Sequence, residues 1–295
     1  MVDGNNVFRR QAANPKLSRL SYKGTATGAV HGTVKSILSD ITTFKPDAVA
    51  VVFDGQGARA EKQKLYAGYK AHRMSSMTDE LHQQMQATID ILKNAGLCVL
   101  QKPGVDADDV IGALAAVPGY MKLIRSNDKD FFQTLNATCR QVRASEAGDV
   151  IWTAAKVKSE WGIEARQVAD YLALCGDGVD GIPGLRSCGP VMAVKLLTEY
   201  KTVQQVVARR QELPEKIRKQ VEEQKDELRT FFRLTKLDKS VISAKAMTTI
   251  LPRLIPKPYS EDLLDLCQRS GLQWLRTWFS AHRPTVISRA VGVFS

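Results

Sequence analysis

The chain has 295 residues, 44% hydrophobic and 25% charged, ordinary globular proportions that exclude a disordered, collagenous or coiled-coil chain. Lys and Arg outnumber Asp and Glu by 42 to 31, and the net charge of +11 suits a polyanionic partner such as nucleic acid. No run approaches the ~18 apolar residues of a membrane span, the opening residues do not read as a signal peptide, and five scattered cysteines without CxxC spacing argue against a zinc knot or disulfide framework and for a reducing, cytoplasmic setting.

In chain order, the first half alternates strand-like and helical runs. Ala48 to Phe53 is a short apolar strand, and Leu97–Leu100 and Met121–Ile124 read the same way. Between the first two, Thr78 to Ala95 has helical periodicity, with Leu81, Met85, Ile89, Ile91 and Leu92 toward one side. Thr78 is its expected cap, with Asp79 and Glu80 in the first turn. Strands alternating with helices predict a parallel sheet covered on both faces. After about residue 150 the strands stop. Helices are expected at Ala154–Trp161, Gln167–Cys175, Pro190–Tyr200 and Pro214–Lys236, the last with a dense mixture of charges that reads as a solvated face.

Aspartates recur where the expected strands end. Asp3 follows Met1-Val2, Asp54 follows Phe53, and Asp128 and Asp130 follow Ile124. Asp106, Asp108 and Asp109 open a helix just beyond the Leu97–Leu100 strand. Open parallel sheets bind ligands beyond the carboxyl ends of their strands. Helix capping accounts for any one of these clusters alone. Together the carboxylates repel and call for cations, and an oxygen-only set points to Mg²⁺ or Mn²⁺. Two such ions ~4 Å apart form a clamp for phosphodiester hydrolysis. Asp177 and Asp180 add to the set from a loop, Gly176–Pro190, with five glycines and two prolines. Gly189-Pro190 suits a tight entry into a helix whose first N–H groups can hold a phosphate.

Arg59 to Arg73 carries five Lys/Arg against one acid, with Tyr66 and Tyr69 interleaved. Its cations suit phosphates and its rings suit unpaired bases; a solvated amphipathic helix is the plainer alternative.

Six motifs in order carry a resemblance: Val2-Asp3-Gly4-Asn5-Asn6, Phe53-Asp54, Tyr69-Lys70-Ala71-His72-Arg73, Asp106-Ala107-Asp108-Asp109-Val110-Ile111, Asn127-Asp128-Lys129-Asp130 and Gly176-Asp177-x-x-Asp180-Gly181-Ile182-Pro183-Gly184. They resemble the 5′-nuclease superfamily, which includes the 5′→3′ exonuclease domain of bacterial DNA polymerase I, bacteriophage 5′ nucleases and flap endonucleases. The resemblance spans residues 2 to about 200. It implies an α/β, PIN-like parallel-sheet core with a helical arch and an all-helical helix–three-turn–helix region that grips duplex DNA. The implied divisions are 1–165 for the core, with the arch at about 55–90, 166–245 for the helical region, and 246–295 for a C-terminal segment packing on the core.

The resemblance implies metal ligands at Asp3, Asp54, Asp106, Asp108, Asp109, Asp128, Asp130, Asp177 and Asp180. It makes Lys70 and Arg73 the catalytic basic pair, and Arg59, Lys62, Tyr69 and Gly189 substrate contacts, Tyr69 by stacking on the displaced strand. The implied cofactors are two or more Mg²⁺ ions, with Mn²⁺ as substitute, and K⁺ at the helix–three-turn–helix loop. The implied partners are DNA with 5′ ends, flaps or single-strand/duplex junctions, and RNA–DNA hybrids, bound by a cytoplasmic monomer. A non-catalytic nucleic-acid-binding protein on the same scaffold is the alternative; a PIN-type ribonuclease would lack the long basic segment and the Gly176–Pro190 loop.

The chain departs from the family pattern at several places. Only Met1 and Val2 precede Asp3, so the first strand is expected to be stunted and Asp3 to sit on a frayed terminus, with stability and metal affinity rising on extension by about five apolar residues. Asp106 stands where the family commonly has Glu, and Ser187 and Val191 replace a glycine and a lysine of the phosphate grip.

Overall fold

The computed structural model describes residues 1–72, 77–275 and 277–278. In chain order its elements are β1 (Val2–Asp3), α1 (Gly4–Ala12), the hairpin strands β2 (Ser21–Tyr22) and β3 (Thr25–Ala26), α2 (Gly28–Phe44), β4 (Ala50–Val52), α3 (Ala58–Leu65), α4 (Asp79–Asn94), β5 (Cys98–Leu100), α5 (Ala107–Ala115), β6 (Lys122–Arg125), β7 (Cys139–Ser145), β8 (Gly148–Trp152), α6 (Ala154–Trp161), α7 (Val168–Cys175), α8 (Pro190–Tyr200), α9 (Val203–Ala208), α10 (Glu215–Thr235), α11 (Ala244–Ile250) and α12 (Asp262–Arg269). They fall into two compact units, one from 1–53, 75–101 and 242–295, the other from 54–74 and 102–241. Among the described residues no helix is long and apolar enough to cross a membrane.

In the first unit, β1, β4 and β5 pair in parallel, with Val2 opposite Val51 and Val51 opposite Val99. Their apolar side chains meet α2 and α4 in a core that contains Ile37, Val51, Phe53, Ile91 and Leu92. Leu263, Cys267, Leu272 and Leu275, from α12 and the residues after it, belong to the same core. Helix α4 is capped as its sequence predicts, the Thr78 hydroxyl accepting the Leu81 N–H. Its buried face differs from the expected one. Leu81 and Met85 are half-buried, whereas Gln84 and Thr88 are buried, because the Gln84 side chain accepts the Ala29 N–H in the first turn of α2 and the Thr88 hydroxyl returns to the Gln84 carbonyl. The first strand is two residues long, as expected, yet Asp3 is not frayed. It is 4% exposed and its side chain accepts the Asn6 N–H at 2.9 Å, capping α1.

In the second unit, β6 and β7 are parallel, with Ile124 opposite Gln141, and β7 and β8 form an antiparallel hairpin. That hairpin was not legible as strands and makes this part of the sheet mixed rather than wholly parallel. Trp152 of β8 stacks on Phe132 at 4.4 Å.

Helices α7 to α10 follow. Pro190 occupies the first turn of α8, where its missing N–H costs nothing. The Gln167 amide nitrogen donates to the Leu197 and Lys201 carbonyls at the other end of α8. Asp170, 4% exposed, accepts the Val203 N–H at 2.8 Å. Burial pushes its carboxyl up to about 6. A raised folded-state pKa contributes stability that is present below the unfolded value of ~3.9 and lost as pH rises through the folded one, at most about 3 kcal/mol here. Asp170→Asn keeps an acceptor for Val203 and cannot ionise. It is expected to melt above the parent chain at pH 7.5 and to lose that advantage at pH 4, in thermal melts at both values; equal melting at pH 7.5 would contradict the assignment.

Candidate active site

Eight of the nine predicted carboxylates lie in the second unit, and Asp3 lies in the first. Asp54 follows β4 and is exposed. Its Oδ1 accepts the Ala107 N–H at 2.9 Å, at the start of α5, where an anion meets the positive end of the helix dipole. Gly55 must be glycine, since a Cβ there would lie 1.6 Å from the Lys102 carbonyl oxygen. Asp106 sits at the N-cap of α5 without accepting a capping bond, and Asp108 and Asp109 occupy the first turn. Capping therefore does not explain Asp106. It faces Lys62, whose ammonium lies 2.6 Å from Asp106 and 3.4 Å from Asp109. Asp109 also accepts the Asp238 N–H at 2.8 Å.

The second cluster comes from two loops. Asp128 Oδ1 accepts the Asp130 N–H and so caps the 3-10 turn Lys129–Thr134. Asp177 Oδ1 accepts the Val179 N–H at 3.0 Å, and the backbones of Asp177 and Ile182 pair across the glycine-rich loop. Asp130, Asp177 and Asp180 bring carboxylate oxygens within 4.8 Å of one another. Asp130 Oδ1 is buried with no hydrogen-bond partner among the described residues. Burial, then the charges of Asp128, Asp180 and Asp177, hold the Asp130 carboxyl well above the usual carboxylate range.

The basic segment differs from the expected helix. Helix α3 ends at Leu65, and Lys70 is left-handed with φ 51°. Lys70 is therefore not helical, and its expected partner Arg73 lies outside the described residues. The Lys70 backbone is held from both sides, its N–H by the Asp180 carbonyl at 2.8 Å and its carbonyl by the Arg59 guanidinium. Gly181, at φ +71°, lets the two loops meet, since a Cβ there would stand 2.5 Å from the Gly68 carbonyl oxygen. The Lys70 ammonium reaches Asp180 at 3.5 Å. Tyr69, expected to stack on the displaced strand, is 2% exposed. The ammonium groups of Lys70 and Lys62 lie 4.8 and 5.8 Å from its ring centre, and burial and the surrounding carboxylates push its phenol up. In this structure the Arg59 guanidinium, the Lys62 ammonium and the Tyr69 ring thus each have a partner within the protein.

Lys129 is a member of the site that the aspartate pattern did not single out. Its ammonium lies 2.9 Å from Asp177; a lysine between two strand-end aspartates was the available signal. Burial acts to lower the pKa of Lys62, Lys70 and Lys129, and the neighbouring carboxylates outweigh it in each case, so all three stay charged. Three lysines do not balance eight aspartates. With no Cys or His among the three grouped carboxylates and a buried carboxylate oxygen left unsatisfied, the donors fit hard divalent cations.

Gly189, the fourth expected substrate contact, is at the N-cap of α8, beside Ser187 at φ 57°. Val191, two residues on, is 86% exposed.

Residues 1–162 match the 5′-3′ exonuclease N-terminal resolvase-like domain and residues 163–252 match the 5′-3′ exonuclease C-terminal SAM fold. A 5′-3′ exonuclease of Aquifex aeolicus is 35% identical over 211 residues, covering 70% of this chain and 71% of that protein. A DNA polymerase I of Caldicellulosiruptor bescii is 34% identical over 234 residues, covering 77% of this chain and 27% of the polymerase, so the chain spans about a quarter of that relative. The fold is shared with a bacteriophage T5 flap endonuclease solved as a pseudo-enzyme-product complex with DNA and metal ions, at a TM-score of 0.64 and 18% identity, over 90% of this chain and 98% of that one. Both halves of the family pattern lie on one chain in the same order, and the chain belongs to the 5′-3′ exonuclease family.

Proposed function

We propose that the chain is a divalent-metal-dependent 5′→3′ exonuclease and flap endonuclease that hydrolyses DNA phosphodiester bonds and leaves 5′-phosphate products. The observation that carries this reading is the convergence of Asp130, Asp177 and Asp180, with an unsatisfied buried oxygen on Asp130, in a chain of this family. Asp128, Asp130, Asp177 and Asp180 would hold one group of ions, and Asp54, Asp106, Asp108 and Asp109 the other. Bound Mg²⁺ or Mn²⁺ supplies Lewis acidity, lowering the pKa of a water and neutralising the leaving 3′ oxygen.

The chain's own groups do the rest. No side chain need act as nucleophile, because water would be the attacking group. Lys70, charged and beside the carboxylates, would neutralise charge developing on phosphoryl oxygens, with Arg73 as the second member of the pair and Lys62 as a substrate contact. Arg59 holds the Lys70 backbone and so fixes the ammonium's starting point. The start of α8 at Gly189 offers N–H groups to a duplex phosphate, with K⁺ bound at the same loop. The substrates are 5′ ends, flaps and single-strand/duplex junctions of DNA, and RNA–DNA hybrids, bound by a monomer in the cytoplasm during replication and repair.

The test is a 5′-flap duplex. Cleavage should need Mg²⁺ or Mn²⁺, stop with EDTA and leave a nick whose 5′-phosphate a ligase seals. Activity undiminished in chelator, or a 5′-hydroxyl product, would overturn the reading.

A further inference from the structure

The loop that presents Asp128 and Asp130 is held from below by β7. Gln141 of β7 is fully buried, at 0% exposure. Its amide nitrogen donates to two carbonyls of the loop, Ser126 at 2.7 Å and Asp128 at 2.6 Å. Only a nitrogen can bond two carbonyl oxygens, so the chemistry sets which way the amide points. Its own oxygen, Oε1, is buried and has no partner among the described residues. An unsatisfied buried acceptor costs ~1–3 kcal/mol. An apolar residue would avoid that cost, but it would also leave the two loop carbonyls without these donors.

The next residues of β7 grip the loop's other side. The Arg143 guanidinium donates to the Asn127 carbonyl at 2.7 Å and lies over the Phe132 and Trp152 rings. The Asn127 amide exchanges two hydrogen bonds with the Ala144 backbone. The Ile124–Gln141 register puts Gln141 two residues short of Ser126, under the bend by which the chain leaves β6.

We propose that Gln141 is a positioning residue for metal binding: it fixes the Ser126–Asp128 backbone so that the Asp128 and Asp130 carboxylates stand where a divalent cation meets both. It does not touch the cation. The proposal rests on the reading of Asp128 and Asp130 as ligands. Supporting groups of this kind, when removed, typically cost ~10–100-fold in metal affinity, because the ligands remain but no longer converge.

Gln141→Met keeps the side chain's length and removes the donor. Gln167→Met is its control. Gln167 likewise donates from a buried amide to two carbonyls, those of Leu197 and Lys201, and neither belongs to a segment that carries a predicted ligand. Both variants, in the full chain, would be titrated with Mn²⁺ by electron paramagnetic resonance and melted in EDTA. Gln141→Met is expected to bind Mn²⁺ ~10–100-fold more weakly, with turnover recovering toward the parent value at saturating Mn²⁺. Gln167→Met is expected to melt lower with unchanged Mn²⁺ affinity. Gln141→Asn, with a shorter reach, serves if the Met variant does not fold. A lower melting temperature with unchanged Mn²⁺ affinity in a folded Gln141 variant would overturn the proposal. If Asp128→Asn with Asp130→Asn weakens Mn²⁺ binding while Gln141→Met does not, only the role of Gln141 falls; if neither does, the ligand reading itself falls.

Discussion

Asp128→Asn together with Asp130→Asn should abolish cleavage, with turnover on a 5′-flap duplex falling by at least ~10³-fold, while duplex affinity stays the same or rises. The loss is large because amides are neutral and poor ligands for hard cations, and electrostatic stabilisation at a phosphoryl centre accounts for much of the barrier. Affinity should not fall, because a chain of net charge +11 that sheds two carboxylates becomes a better partner for a polyanion. The substitutions should also raise the melting temperature in EDTA. Burial and neighbouring carboxylates hold Asp130 well above its ordinary range, so its ionised form is a cost in the cation-free chain near neutral pH, one that disappears as pH falls and the group protonates. Unchanged cleavage would contradict the site; lost cleavage with lost DNA binding would indicate misfolding.

Lys70→Ala is expected to lower turnover by ~10²-fold while DNA dissociation constants move by less than about tenfold, ~1.4 kcal/mol. The reason is geometric. Lys70 is in a left-handed turn pinned by Asp180 and Arg59, and its ammonium faces Asp180 at 3.5 Å. A side chain so held loses little entropy when it meets a reacting phosphate, and its effect falls on the transition state. Single-turnover rates and equilibrium binding, measured on the same flap, separate the two quantities. A change in affinity alone would make Lys70 a binding contact.

Much of the scaffold was legible because local rules agree with the tertiary structure. Thr78 caps α4 with the acids in its first turn, Pro190 opens α8, and α6 ends at Gly162 with φ 71°. The three apolar runs became β4, β5 and β6 because buried parallel strands need no alternation. Helix α2 left no such signal. It carries Gly28 and Gly32, lacks a side-chain cap bond, and is buried on so many sides that no amphipathic stripe stands out. The β7–β8 hairpin is masked by its arginines and by edge residues that face outward, Val150 and Ile151 among them.

At the site, residue types were legible and conformations were not. Seven of the nine aspartates show in the sequence because each ends or follows a strand or opens a helix, and Asp177 and Asp180 show in a glycine-rich loop. The left-handed turn at Lys70 depends on a hydrogen bond to Asp180, 110 residues away, and the helical reading of residues 59–73 had no access to it. The burial of Tyr69 between two lysines is nonlocal in the same way. Gln141 escaped notice because a glutamine in a strand has no pattern of its own; only the two carbonyls beneath the aspartate loop give it meaning.

The central claim is that these aspartates gather to hold divalent cations. The measurement that tests it most directly is equilibrium Mn²⁺ binding to the full chain without DNA, followed by electron paramagnetic resonance beside the Asp128→Asn/Asp130→Asn variant. The account predicts saturable binding by the parent chain, competed by Mg²⁺, with at least one site lost in the variant. Equal Mn²⁺ binding by the two chains would contradict it.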